Sequence, residues 1–143
     1  MIAVKHNIEV AHRLFETPGK CENIHGHSMW VTLYLEGEMS PTGMEGGADF
    51  ADLKKAFRKH LDTMYDHRVL LNQADPFAGP VRLSLDESPP LWLPGLQATA
   101  GDPTTENIAR WVLVHMRDTL MEWEIEPVKC EVWETAVNMA SAT

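Results

Sequence analysis

His25 and His27, separated only by Gly26, put two imidazoles on one face of an extended segment, with Cα atoms roughly 6.5–7 Å apart and a small residue between them. If the stretch around His12 pairs alongside in register with Val10 and Leu14, a third imidazole projects from the same face. Three neutral nitrogen ligands with an open fourth position suit a catalytic zinc, whereas a structural zinc is normally closed by four protein ligands. The competing reading is that the three histidines are surface or packing residues.

Other groups of useful chemistry stand nearby. Cys21 precedes His25 in a segment that would hang beside such a metal, where a cation favours the thiolate and makes it a base or nucleophile. A lone cysteine is otherwise a small buried hydrophobe, which is the reading for Cys130. In Asp66-His67 a carboxylate can orient a histidine that moves protons near neutral pH, or the pair can be a solvated helix end. Glu134 is a carboxylate on an otherwise apolar strand face, suited to a bidentate contact with a ligand's amidine or guanidine edge if it is not simply an exposed strand end.

The elements that must carry these residues follow from periodicity. Residues 7–14 alternate, with Ile8, Val10, His12 and Leu14 on one face. A second alternating run, from His25 to Glu36, places His25, His27, Met29, Val31, Leu33 and Leu35 together. The Pro18-Gly19 step between the runs predicts an antiparallel pair with a longish connection. Asp49 is a candidate cap for a helix whose buried stripe is Leu53, Ala56, Phe57, Leu61 and Met64, ending near Tyr65-Asp66-His67. Residues 73–103 carry too many prolines for a long regular element, with a short strand possible at Val81 to Leu85. Thr104 or Thr105 caps a second helix with an apolar face from Ile108 through His115 to Trp123, closed by Pro127. Val128, Cys130, Val132 and Glu134 then share one side of a final strand.

The composition narrows the partners. The 143 residues suit one domain, and 44% hydrophobic residues give it a core. Twelve basic against 21 acidic residues leave a net charge of −9, which argues against nucleic acid and anionic membrane surfaces, both of which need neutralising cations. Two cysteines suggest thiols in a reducing compartment. The N-terminal residues lack a signal-peptide pattern and no stretch approaches the ~20 apolar residues of a membrane span, so a cytoplasmic location is expected.

Taken in order, Ala11-His12-Arg13-Leu14, Cys21-Glu22-Asn23-Ile24-His25-Gly26-His27, Asp66-His67, Pro103-Thr104-Thr105-Glu106-Asn107 and Glu134-Thr135 resemble the 6-pyruvoyl-tetrahydropterin synthase family, which includes the bacterial 6-carboxy-tetrahydropterin synthases. The match runs from about residue 8 to 135. The resemblance implies an α+β tunnelling fold over residues 1–143. Its antiparallel four-stranded sheet carries two helices on one face, and its subunits close a β-barrel, commonly as a hexamer. It also implies Zn2+ on His12, His25 and His27, and proton transfer by Cys21 with Asp66 and His67, the last two supplied by a neighbouring subunit. Thr104, Thr105 and Glu134 would anchor the pterin.

The implied reaction converts 7,8-dihydroneopterin triphosphate to 6-carboxy-5,6,7,8-tetrahydropterin, acetaldehyde and triphosphate on the route to queuosine. The alternatives are a synthase forming 6-hydroxymethyl-dihydropterin or 6-pyruvoyl-tetrahydropterin, or a non-catalytic pterin-binding assembly protein. Glu22, directly after Cys21, is an alternative base that points to the hydroxymethyl branch. The 73–103 connection is long, and Gly46-Gly47-Ala48 stands where an Ile or Val often precedes the first helix. A local field from zinc, Arg13 and Lys20 would hold the substrate's triphosphate despite the acidic chain.

Overall fold

Alternation in the first two runs becomes a long antiparallel ladder. The computed structural model describes residues 1–78 and 101–143. Strand β1 (Ile2–His12) pairs along its whole length with β2 (His25–Gly37), from Ile2 opposite Leu35 to His12 opposite His25. It begins earlier than the sequence pattern suggests and stops at His12, short of Leu14. On the far side of β2 lies β4 (Ile125–Trp133), followed by β5 (Met139–Ala142).

With a short strand β3 (Arg68–Leu70), the sheet has five strands, not the four expected, in the order β3-β1-β2-β4-β5. The unexpected edge β3 runs parallel to β1, which is possible because a helix lies between β2 and β3 and returns the chain.

That helix, α1 (Phe50–Met64), starts where Asp49 accepts a hydrogen bond from the Ala51 N–H at 2.6 Å. It buries Leu53, Phe57 and Leu61. Helix α2 (Thr105–Thr119) is capped by Thr104, whose hydroxyl accepts from the Asn107 N–H at 3.2 Å. Both helices meet one apolar surface formed by Val4, Ile8 and Val10 of β1, Met29 to Leu35 of β2, and Cys130 and Val132 of β4. The opposite face carries Lys5, Trp30, Tyr34 and Glu131; Trp30 is 46% exposed there. Among the described residues, no helix is long and apolar enough to cross a membrane.

Two expectations about the C-terminal part are corrected. Helix α2 ends at Thr119, with Leu120 as its C-cap, and does not reach Trp123; Pro127 therefore does not close it but lies inside β4. The ladder with β2 shifts there, Tyr34 opposite Lys129 and Leu35 opposite Pro127, so Val128 is an extra residue in a bulge. Proline is tolerated at such a site, and the bulge puts Val128 out of step with the buried Cys130 and Val132.

Gly46 accounts for the unusual Gly46-Gly47-Ala48 stretch. At φ 60°, a Cβ on Gly46 would lie 2.5 Å from the Glu124 carbonyl oxygen and 2.7 Å from the Ile125 Cβ, so a branched residue cannot occupy it. The strand suggested at Val81 to Leu85, and most of the 73–103 connection, fall outside the described residues.

Candidate metal centre and its surroundings

At the end of the ladder the sheet stops burying aliphatic side chains and buries imidazoles. His12 lies opposite His25, and His27 lies opposite Val10, all on the helix-covered face beyond Val10 and Met29. His12 is fully buried; His25 and His27 are partly exposed. One nitrogen from each ring falls within 4.8 Å of the others, and the ring centroids are 4.6–5.1 Å apart.

The tautomers follow from the partners. His12 Nδ1 lies 2.8 Å from the Pro103 carbonyl oxygen, and His25 Nδ1 lies 2.7 Å from that of Asn23. A carbonyl only accepts, so each Nδ1 carries the hydrogen and donates, leaving a lone pair on each Nε2. Those two Nε2 atoms face each other at 3.1 Å. Two acceptors at that distance repel unless a cation joins them. Burial pushes the His12 pKa below its ordinary value, against the opposing pull of the Pro103 hydrogen bond; the neighbouring His25 lowers it further. Burial thus favours the neutral ring that a metal requires. His27 Nε2 is buried and has no hydrogen-bond partner among the described residues. This donor set fits a transition metal bound by three imidazoles with a position left open.

Glu134, one residue beyond β4, points its Oε1 to within 3.5 Å of His12 Nε2 and 3.6 Å of His27 Nε2. Its spacing in the sequence shows it to be strand-proximal but not that it would lean on the histidines. Thr104 spends its oxygen on the α2 cap, while its own O–H hydrogen can still donate to a ligand; Thr105 opens the helix.

Cys21 and Glu22 lie in a single 3₁₀ turn, Lys20–Glu22, and both are exposed. The turn folds back onto the residues following His12, because the Leu14 N–H donates to the Cys21 carbonyl at 2.8 Å. Neither side chain joins the converging nitrogens. Cys130 is the packing residue its pattern suggests: burial pushes its thiol up to about 12.

Asp66 and His67 do not join the converging nitrogens of the three histidines within this chain. Asp66 Oδ1 accepts from the Glu9 N–H at 2.7 Å, and the His67 N–H donates to the Glu9 carbonyl at 2.7 Å. This pins His67 in the left-handed region at φ 56°, with its side chain 80% exposed and its Nε2 3.5 Å from Asp66. An open groove of about 420 Å³ has both His27 and His67 on its walls, along with Glu9 and Ser28.

Arg13 departs from the expected role in a phosphate-holding field. It is buried, its Nη1 donates to the buried Asp75 Oδ1 at 3.1 Å, and its guanidinium stacks on Phe77 at 4.2 Å. Its charge is already compensated. Lys20 remains on the surface.

A second histidine cluster lies between the helices. His60 and His115 have ring centroids 5.6 Å apart, and His60 lies 5.9 Å from Tyr65. Among the described residues, His60 Nε2, His115 Nδ1 and the Tyr65 hydroxyl are buried without partners. Burial, followed by the influence of His115, lowers the His60 pKa to about 4, and burial raises that of Tyr65.

Comparison with known proteins agrees with this geometry. The family model described as 6-pyruvoyl tetrahydropterin synthase matches residues 1–143. A 6-carboxy-5,6,7,8-tetrahydropterin synthase from Haemophilus influenzae is 25% identical over 142 residues, spanning 96% of this chain and 94% of that protein. The structure of the Caenorhabditis elegans 6-pyruvoyl tetrahydropterin synthase is 26% identical with a TM-score of 0.67, covering 99% of this chain and 92% of that one. An uncharacterized protein from Wolinella succinogenes shares the fold with a TM-score of 0.77 at 23% identity, covering 99% and 96% of the two chains.

Proposed function

The chain belongs to the 6-pyruvoyl tetrahydropterin synthase family, and on that premise we propose that it is a zinc-dependent lyase forming 6-carboxy-5,6,7,8-tetrahydropterin, acetaldehyde and triphosphate from 7,8-dihydroneopterin triphosphate and one water. The observation that carries this reading is the convergence of His12, His25 and His27, with two lone pairs facing each other at 3.1 Å. The relative from Haemophilus influenzae, 25% identical, supports the carboxy product, while the 26% identical Caenorhabditis elegans protein makes the 6-pyruvoyl product the alternative to be tested.

His12, His25 and His27 would hold the zinc, which when bound would supply a Lewis acid for the hydroxyl oxygens of the substrate side chain and ease the charge that develops as a neighbouring C–H proton leaves. The protein's own groups do the rest. Glu134 pairs with the guanidine-like edge of the pterin, and its closeness to the histidines keeps the ring beside the metal. Thr104, which follows the Pro103 carbonyl that meets His12, donates to the pterin from its hydroxyl, and Thr105 adds a second anchor. Cys21, as thiolate, takes the proton. His67, oriented by Asp66, gives or receives one at the opposite end of the side chain. As the family resemblance implies, His67 serves the histidines of a neighbouring subunit, a role its 80% exposed side chain leaves open to it, and the working unit is a homo-oligomer, in this reading a hexamer. A cytoplasmic location and the queuosine pathway go with this activity.

The test is incubation of the zinc-loaded protein with 7,8-dihydroneopterin triphosphate, with mass spectrometry of the products. The carboxy product is expected, and Cys21→Ala should abolish it while leaving zinc content unchanged. Finding no pterin product at all would sink the proposal and leave a non-catalytic pterin-binding assembly. Glu22 favours one second reading, since it shares the exposed 3₁₀ turn with Cys21 and can act as a base there. In that case 6-hydroxymethyl-dihydropterin appears among the products and its yield drops in Glu22→Gln.

A further inference from the structure

The carbonyl that orients His12 is that of Pro103, and it shares its peptide plane with the Thr104 N–H. What the Thr104 N–H is bonded to therefore sets the direction of the Pro103 carbonyl. Asp102, only 5% exposed, is where the ties gather. Its Oδ2 accepts from the Glu16 N–H at 2.8 Å, and its Oδ1 accepts from the Asn72 side-chain amide at 3.2 Å. Its main-chain carbonyl accepts twice more, from the Thr104 N–H and from the Asn107 side-chain amide, each at 2.8 Å. Three separate stretches of chain thus close on one residue: the loop after β1, the segment after β3, and the first turn of α2.

From these contacts we infer that Asp102 is a positioning residue for the metal centre. It holds the Pro103 carbonyl where the His12 Nδ1–H donates, which fixes both the tautomer and the aim of His12 Nε2. Through the Glu16 N–H it also anchors the loop that carries Cys21, whose own carbonyl is bonded to Leu14. A carboxylate serves better than an amide because both of its oxygens accept from N–H donors; an asparagine would turn an NH2 toward one of them. This inference rests on reading His12, His25 and His27 as a metal site.

The experiment measures zinc affinity by competition with a chromophoric chelator, together with the denaturation midpoint of each metal-free protein. Asp102→Ala is expected to weaken zinc binding about 10–100-fold, the usual cost of removing a group that holds a ligand in place. Asp102→Asn should fall between it and the parent. In metal-free protein, the His12 Nδ1–H resonance should exchange with water faster in both variants. A merely structural residue would lower the denaturation midpoint and leave affinity and exchange as they were, and that result overturns the inference. If Asp102→Ala does not fold, Asn107→Ala decides, because it removes one tie to the Asp102 carbonyl and leaves the carboxylate in place. Weakened zinc binding there supports the inference, and unchanged affinity overturns it. A parent protein that fails to bind zinc overturns the metal reading itself, an outcome visible before any substitution is made.

Discussion

His12, His25 and His27 at the end of the sheet and His60 and His115 between the helices are the same side chain in opposite circumstances. In the first group, carbonyls from Pro103 and Asn23 take the Nδ1 hydrogens, so lone pairs are forced to face one another. In the second, the rings come almost as close, yet among the described residues His60 Nε2 and His115 Nδ1 meet no partner, and burial keeps His60 neutral down to about 4. Proximity of imidazoles is common to both. What separates the candidate ligand set from a packed pair is the carbonyl behind His12 and behind His25, which decides where each lone pair points.

The sharpest way to break this comparison is to remove one member of each cluster. His25→Ala should cost zinc affinity more than the roughly 100-fold upper range for losing an outer partner, and turnover should fall to background. His60→Leu should bind zinc as the parent does, measured by equilibrium dialysis. Equal loss from both would mean that the helix cluster also serves the metal.

Next in size is the response to acid. His60 accepts a proton only below about 4 when folded, whereas the unfolded chain accepts one below its ordinary 6.5. Above 6.5 this residue adds no pH dependence; as pH falls from 6.5 toward 4 the unfolded state gains protons first, and stability is lost. By pH 5 the loss is at most roughly 2 kcal/mol, less in proportion to the residual exposure of the ring. Metal-free His60→Leu should therefore lose less stability between pH 7 and 5 than the metal-free parent, as read by chemical denaturation; matching slopes would remove His60 from the account. Smallest is Thr104→Ala, which loses the α2 cap and should cost about 1 kcal/mol. Its readout is the same denaturation curve, and a drop in zinc affinity alongside would show how closely the cap is coupled to the neighbouring Pro103 carbonyl.

The histidine face was legible because His25 and His27 continue an alternation that runs through Met29 to Leu35, and His12 continues one through Ile8 and Val10. The helix starts were legible in Asp49 and Thr104, whose side chains do cap. Strands β3 and β5 were not, since three and four residues are too few to establish a period, and Met139-Ala140-Ser141-Ala142 has little β preference. The misread of Pro127 came from taking proline as a helix stop when a bulge had made room for it. Asp102 and Asp75 gave no sign in sequence, because their partners Glu16 and Arg13 are distant along the chain and only the fold brings them together.

One consequence of the pairing of His12 with His25 concerns how the chain finds its fold. In a strand pair, a slip of one residue turns every side chain of one strand to the other face. Such a slip would leave His12 on one side of the sheet and His25 with His27 on the other, and no ion could reach all three. If the three histidines hold zinc as proposed, capture of the ion selects the hairpin threaded in the native register, and refolding with zinc present should leave fewer misregistered species than refolding without it.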